Sequence, residues 1–147
     1  MKDIKQTFIS LLKQSGEQKG FRCRDSIWSD NIIELYGTIN CYVYFKIRSE
    51  RPPRWGITKT RIEELKSSKK KWVIVLLYET PHRGYVLKST DVEKYIEHRL
   101  WPLGNGRNRN EYKVSAPECK DGVSKSLQYN KQFLFFDDFL AVLADLS

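Results

Sequence analysis

Long apolar runs, paired cysteines and histidines are all scarce in this chain, and each shortage removes a class of protein. No stretch approaches the roughly 20 consecutive apolar residues of a membrane helix, so no membrane partner is expected. The N-terminal segment is amphipathic and polar, without the apolar core of a secretion signal. The three cysteines, Cys23, Cys41 and Cys119, form no Cys-x-x-Cys pair, and the two histidines, His82 and His98, lie far from them in sequence. A structural zinc site is therefore not expected, and the expected compartment is a reducing cytoplasm. Repeats and low-complexity tracts are missing too. Gly104 to Asn110 is rich in glycine and asparagine but lacks the Gly-Lys-Ser/Thr ending of a phosphate-binding loop.

What the chain does have is positive charge and aromatic rings. Twenty-six Lys and Arg face 18 Asp and Glu, a net charge of +8 that favours a polyanionic or acidic partner. A composition 40% hydrophobic and 13% aromatic is that of a globular chain, and 147 residues suit one domain spanning residues 1–147.

Charge and rings meet at residues 41–55. Cys41, Val43, Phe45 and Ile47 alternate with Tyr42, Tyr44, Lys46 and Arg48, which predicts a strand with an apolar face and an aromatic, cationic open face. A loop follows that carries Arg51, Arg54 and Trp55 around Pro52 and Pro53. A helix start at Thr58 follows, near Lys59 and Arg61. Cations suit phosphates and flat rings suit bases, so Tyr42, Tyr44, Lys46, Arg48, Arg51, Arg54, Trp55, Lys59 and Arg61 are the candidate nucleic-acid-binding residues. The outward amides at the helix start would add to an anion site. The competing reading is a covered sheet face and a stiff connector with Trp55 in the core.

Elsewhere, periodicity predicts a helix over 2–19 capped by Gly20, and strands over 21–28 and 32–36 that lead into 41–48 as an antiparallel meander. A helix over 58–67 precedes the unbroken apolar run Trp72 to Tyr78, the pattern of a strand covered on both faces. A hairpin turn at 80–84, a strand at 85–87 and a helix to about His98 come next. Residues 104–132 read as a polar loop with one short strand at 112–114, and a closing helix spans 134–146. Trp72 and Trp101 read as core or rim residues. The fold class is α+β with a mixed sheet.

The order helix, three strands, helix, buried strand resembles the core of the PD-(D/E)XK, or restriction-endonuclease-like, superfamily over about the first 78 residues. That resemblance implies an acidic residue on the second core strand and a Glu-x-Lys or Asp-x-Lys on the third. Lys46 stands at the lysine position and Glu34 at that of the first acid, with Asp30 just before that strand and Glu17 on the first helix. Tyr44 occupies the position where the motif has a carboxylate, and a phenol is no substitute for one around Mg²⁺. The leading expectation is a nucleic-acid-binding domain on a nuclease-like scaffold without catalysis and without a cofactor, with DNA expected over RNA as the partner. The alternative is a Mg²⁺-dependent endonuclease using Glu34 and Lys46. A third reading is an interaction module that docks on an acidic protein partner.

Overall fold

The computed structural model describes residues 3–117 and 125–146, apart from the side chain of residue 108; Cys119 lies outside the described residues. The order is α1 (Ile4–Lys19), β1 (Phe21–Asp25), β2 (Ile32–Gly37), β3 (Cys41–Arg48), β4 (Arg54–Thr58), α2 (Lys59–Ser67), β5 (Trp72–Tyr78), β6 (Thr80–Lys88), α3 (Ser89–Glu97), β7 (Glu111–Ser115) and α4 (Phe136–Asp145). The fold is α+β, as expected, with a five-stranded mixed sheet of order β1-β2-β3-β5-β6 and a separate ribbon of β4 and β7. β3 and β5 run parallel, and the other neighbours in the large sheet are antiparallel.

Two cores lie on the two faces of that sheet, and β5 explains why. Its continuous apolar run sends Trp72, Ile74, Leu76 and Tyr78 to one face and Val73, Val75 and Leu77 to the other, with every residue buried. On the second face, α1 lays down Phe8 and Leu12, and α4 adds Phe136, Phe139, Leu140 and Leu143. On the first face sit Ile62 and Leu65 of α2, Val92 and Tyr95 of α3, and the inner side of the ribbon, Trp55, Ile57, Tyr112 and Val114. Each fully buried aliphatic side chain contributes roughly 1.5–3 kcal/mol.

α1 ends as its sequence predicts. Gly20 adopts φ 88°, a left-handed conformation that costs glycine little, and its N–H donates to the Gly16 carbonyl at 2.8 Å. Other boundaries differ from expectation. β1 stops at Asp25 rather than residue 28, because Ser26 begins a hydrogen-bonded turn and Ile27 points into solvent, 95% exposed. The expected turn at 80–84 is instead strand. The chain reverses at Glu79, and Gly84 sits inside β6, where a Cβ would stand 1.9 Å from the Leu76 carbonyl oxygen. Residues 54–58, read as loop and helix start, form β4 and pair with β7 in register Trp55 to Val114 and Ile57 to Tyr112.

Candidate nucleic-acid interface

The side chains predicted to share one open face divide into two groups. The ribbon covers the middle of the β3 face. Tyr44 is 1% exposed and Trp55 is 2% exposed, and both belong to the first core. The Tyr44 hydroxyl accepts the Thr58 N–H at 3.2 Å, and the Trp55 Nε1–H donates to the Leu77 carbonyl at 3.1 Å. Neither ring is available to stack on a base, so the open platform expected over 42–48 is corrected at Tyr44, and the loop reading is corrected at Trp55. The helix start is also spoken for. The Lys59 N–H donates to the Asn110 carbonyl at 2.8 Å, so that amide does not point outward to an anion. Arg61 is part-buried and paired with Glu64 one turn on in α2.

The cations at the far end of β3 remain in reach of solvent. β2 pairs with β3 only as far as Ile32 opposite Tyr44, with one further bond from the Phe45 N–H to the Asn31 carbonyl at 3.0 Å. Residues 46–48 therefore form an open strand edge on that side, while β5 pairs them on the other through Leu76, Leu77 and Tyr78. Against this edge lies a cleft of about 250 Å³ lined by Lys5, Asn31, Lys46, Arg48, Gly56 and Glu111, with Phe45 and Ile47 on its apolar wall. Gly56 lets Glu111 fold close over the ribbon; a Cβ there would stand 3.0 Å from Glu111 Oε2. Lys5 reaches Asp30 at 2.9 Å. Among the described residues, Lys46 and Arg48 have no ion-pair partner, and the Lys46 ammonium lies 5.7 Å from the centre of the Tyr44 ring. With Lys5 offset by Asp30 and Glu111 on the lining, Lys46 and Arg48 carry the excess positive charge, an anion-favouring balance.

Arg51 stands outside this cleft, 74% exposed, with Nε and Nη2 on Glu79 at 3.0 and 2.9 Å; Arg83 meets the same carboxylate at 2.7 Å. Arg54 lies exposed on the ribbon and pairs in register with Ser115. Arg107 and Arg109 are exposed in the segment before β7.

Glu34 and Lys46 do not converge. They lie on one face, but Glu34 is opposite Tyr42, four residues from Lys46, or about 13 Å along the strand. The Glu34 carboxylate is also fully engaged, with Arg24 Nε at 2.6 Å and Lys70 Nζ at 2.5 Å. The Arg24 hydrogen bond, with Lys70 beside it, holds this carboxyl down at about 2, against 4.5 ordinarily. A metal ion would have to displace both cations, so these residues do not fit the Mg²⁺ pair of the endonuclease alternative. Among the described residues no group of three or more His, Cys, Asp or Glu is placed to hold a metal. Burial pushes the Cys41 thiol up to about 12, which leaves it protonated at neutral pH and a poor nucleophile.

Arg24 and Lys70 are not among the sequence-predicted site residues: their meeting at Glu34 depends on strand register and on the α2–β5 turn, which spacing alone does not reveal.

The fold thus defines a class: an α+β protein with a two-faced mixed sheet, a covering ribbon and a cationic cleft at an open strand edge. No protein-family model, curated protein or solved structure matches the chain. No helix among the described residues is long and apolar enough to cross a membrane.

Proposed function

We propose that this chain binds nucleic acid by its phosphate backbone, at the cleft formed by Lys5, Lys46 and Arg48. The observation that carries the reading is the pair of cations without an ion-pair partner among the described residues, Lys46 and Arg48, on an open strand edge of a +8 chain. A cation closed into an ion pair has less left for a ligand; among the described residues Lys46 and Arg48 have no ion-pair partner, and Lys5, paired with Asp30, stands on the same wall. Arg54 adds positive charge on the ribbon, whereas Arg51 is closed onto Glu79 outside the cleft. With β4 set aside in the separate ribbon, the order of a helix, three antiparallel strands, a helix and a strand parallel to the third supports a nuclease-like scaffold as the framework. On that framework the reading is of binding without cleavage, because Tyr44 is buried where the motif needs a carboxylate and Glu34 is held by Arg24 and Lys70.

The test is binding of short DNA and RNA across a salt series, for the wild type and for Lys46→Ala with Arg48→Ala. Affinity should fall as salt rises, and the double variant should lower the slope by roughly 0.7 per lost phosphate contact on single strands and 0.9 on duplex. A double variant that binds like the wild type overturns the assignment. Mg²⁺-dependent cleavage abolished by Glu34→Gln would restore the endonuclease alternative.

A further inference from the structure

Of the four tryptophans, Trp55, Trp72 and Trp101 are buried at 2%, 4% and 3% exposure, while Trp28 is partly exposed. It sits in the turn between β1 and β2 and packs on the half-buried Tyr42 with ring centres 4.9 Å apart. The turn is held by its own hydrogen bonds: Ser26 Oγ accepts the Trp28 N–H and donates to the Ser29 carbonyl, and Ser29 Oγ accepts the Asn31 N–H. This bracing presents Ile27, 95% exposed, beside Trp28.

Cations stand at both ends of these three side chains. On one side, Lys70 Nζ lies 5.2 Å from the Tyr42 ring centre, and Arg24 lies 4.7 Å from that of Tyr36, with Arg22 exposed on the same face of β1. On the other side, four residues along β3, are Lys46 and Arg48. Tyr44, between Tyr42 and Lys46, is covered by the ribbon, so the connection runs over the turn itself, whose far end, Asn31, lines the cleft beside Lys46 and Arg48. A duplex keeps its base faces inside the stack, where a partly sunken ring cannot reach them. A single strand exposes base faces between successive phosphates, in the same alternation as this strip.

We propose that the strip from Arg24 and Lys70, across Ile27, Trp28 and Tyr42, to Lys46 and Arg48 is a track for single-stranded nucleic acid, with a base lying against Trp28 and Ile27 and phosphates at the two cationic ends. This rests on the reading of the Lys46 and Arg48 cleft as a phosphate site and names the form of nucleic acid it holds.

The experiment titrates an oligothymidylate and an oligouridylate of about 12 nucleotides, and a DNA duplex of equal length, into the protein at low salt, following tryptophan fluorescence. Single strands should quench emission and bind more tightly than the duplex. Trp28→Ala should weaken single-strand binding by roughly 5- to 150-fold, the range set by losing one base–ring stack, with duplex affinity and salt slope unchanged. Ile27→Asp, at a position too exposed to affect folding, should weaken single-strand binding in the same direction. If the duplex binds more tightly, or if Trp28→Ala and Ile27→Asp bind single strands like the wild type, the track is overturned; a loss of binding in the Lys46 and Arg48 variant would then still uphold the phosphate site. An absence of binding to any of the three probes overturns both.

Discussion

Replacing Glu34 with Gln should lower stability and strengthen nucleic-acid binding together, because one carboxylate holds two cations that face the track. Glu34 is 14% exposed and its partners Arg24 and Lys70 are 59% and 23% exposed. The gap between an ordinary carboxyl at 4.5 and this one at about 2 corresponds to about 3 kcal/mol at most. Solvent screening around the outward Arg24 brings the working figure to about 1–2 kcal/mol. Since the folded-state value is depressed, this stabilisation is complete above the unfolded value of 4.5 and is lost as pH falls toward 2. Urea unfolding at pH 7 should therefore show Glu34→Gln less stable by about 1–2 kcal/mol, with the gap closing between about pH 5 and pH 2. At pH 7, removing the carboxylate that offsets Arg24 and Lys70 should strengthen their hold on phosphate, raising single-strand affinity and steepening the salt slope by up to roughly 0.7 per cation. A variant as stable as the wild type at pH 7, or a gap that persists undiminished at pH 2, refutes the reasoning.

Two further outcomes test the frame that carries the site. Gly84→Ala should disrupt β5–β6 pairing and cost at least 2 kcal/mol, on the order of a buried steric clash, since its Cβ would stand 1.9 Å from the Leu76 oxygen; thermal unfolding checks it. Arg51→Ala should leave the urea midpoint close to that of the wild type, because Arg51 is exposed and Arg83 keeps its own 2.7 Å pair with Glu79.

Much of the fold was legible because strong patterns have few solutions. An unbroken apolar run from Trp72 to Tyr78 requires cover on both faces, and Gly20 after a helical stripe marks where α1 stops. β4 was not legible: five residues behind Pro52 and Pro53, with a single Trp and Ile alternating, pair with a strand that begins at Glu111. Without that pairing nothing distinguishes a Trp55 that stacks on a ligand from one that fills a core. The alternation along β3 identified its two faces correctly, but tyrosine is compatible with water and with burial, so the pattern left open which rings the ribbon would cover. Likewise the partners of Glu34 lie 10 and 36 residues away, beyond the reach of any local spacing rule.

The two residues at the positions compared with the Glu-x-Lys motif, Tyr44 and Lys46, share a face yet have opposite environments, and the ribbon is the cause. Trp55 and Ile57 lie in the core with Tyr44, while Lys46 extends past the end of β2 into the cleft. A phenol suits position 44 because its ring joins an apolar cluster and its hydroxyl accepts the Thr58 N–H. Tyr44→Phe should cost about 1 kcal/mol, the worth of that hydrogen bond, with the fold retained. Tyr44→Glu would write the motif into the sequence without creating its chemistry. It would bury an acidic group among Trp55, Ile57 and Ile74 with one amide for company, and should destabilise the chain by at least 3 kcal/mol, on the order of an unpaired buried charge. That loss should shrink as pH falls and the carboxyl takes up a proton, and Mg²⁺ should not restore stability. Circular-dichroism melts at pH 7 and pH 4, with and without Mg²⁺, read all three effects. A Tyr44→Glu variant as stable as Tyr44→Phe, or one that Mg²⁺ stabilises, would mean that the ribbon opens readily and that position 44 is accessible to a metal after all.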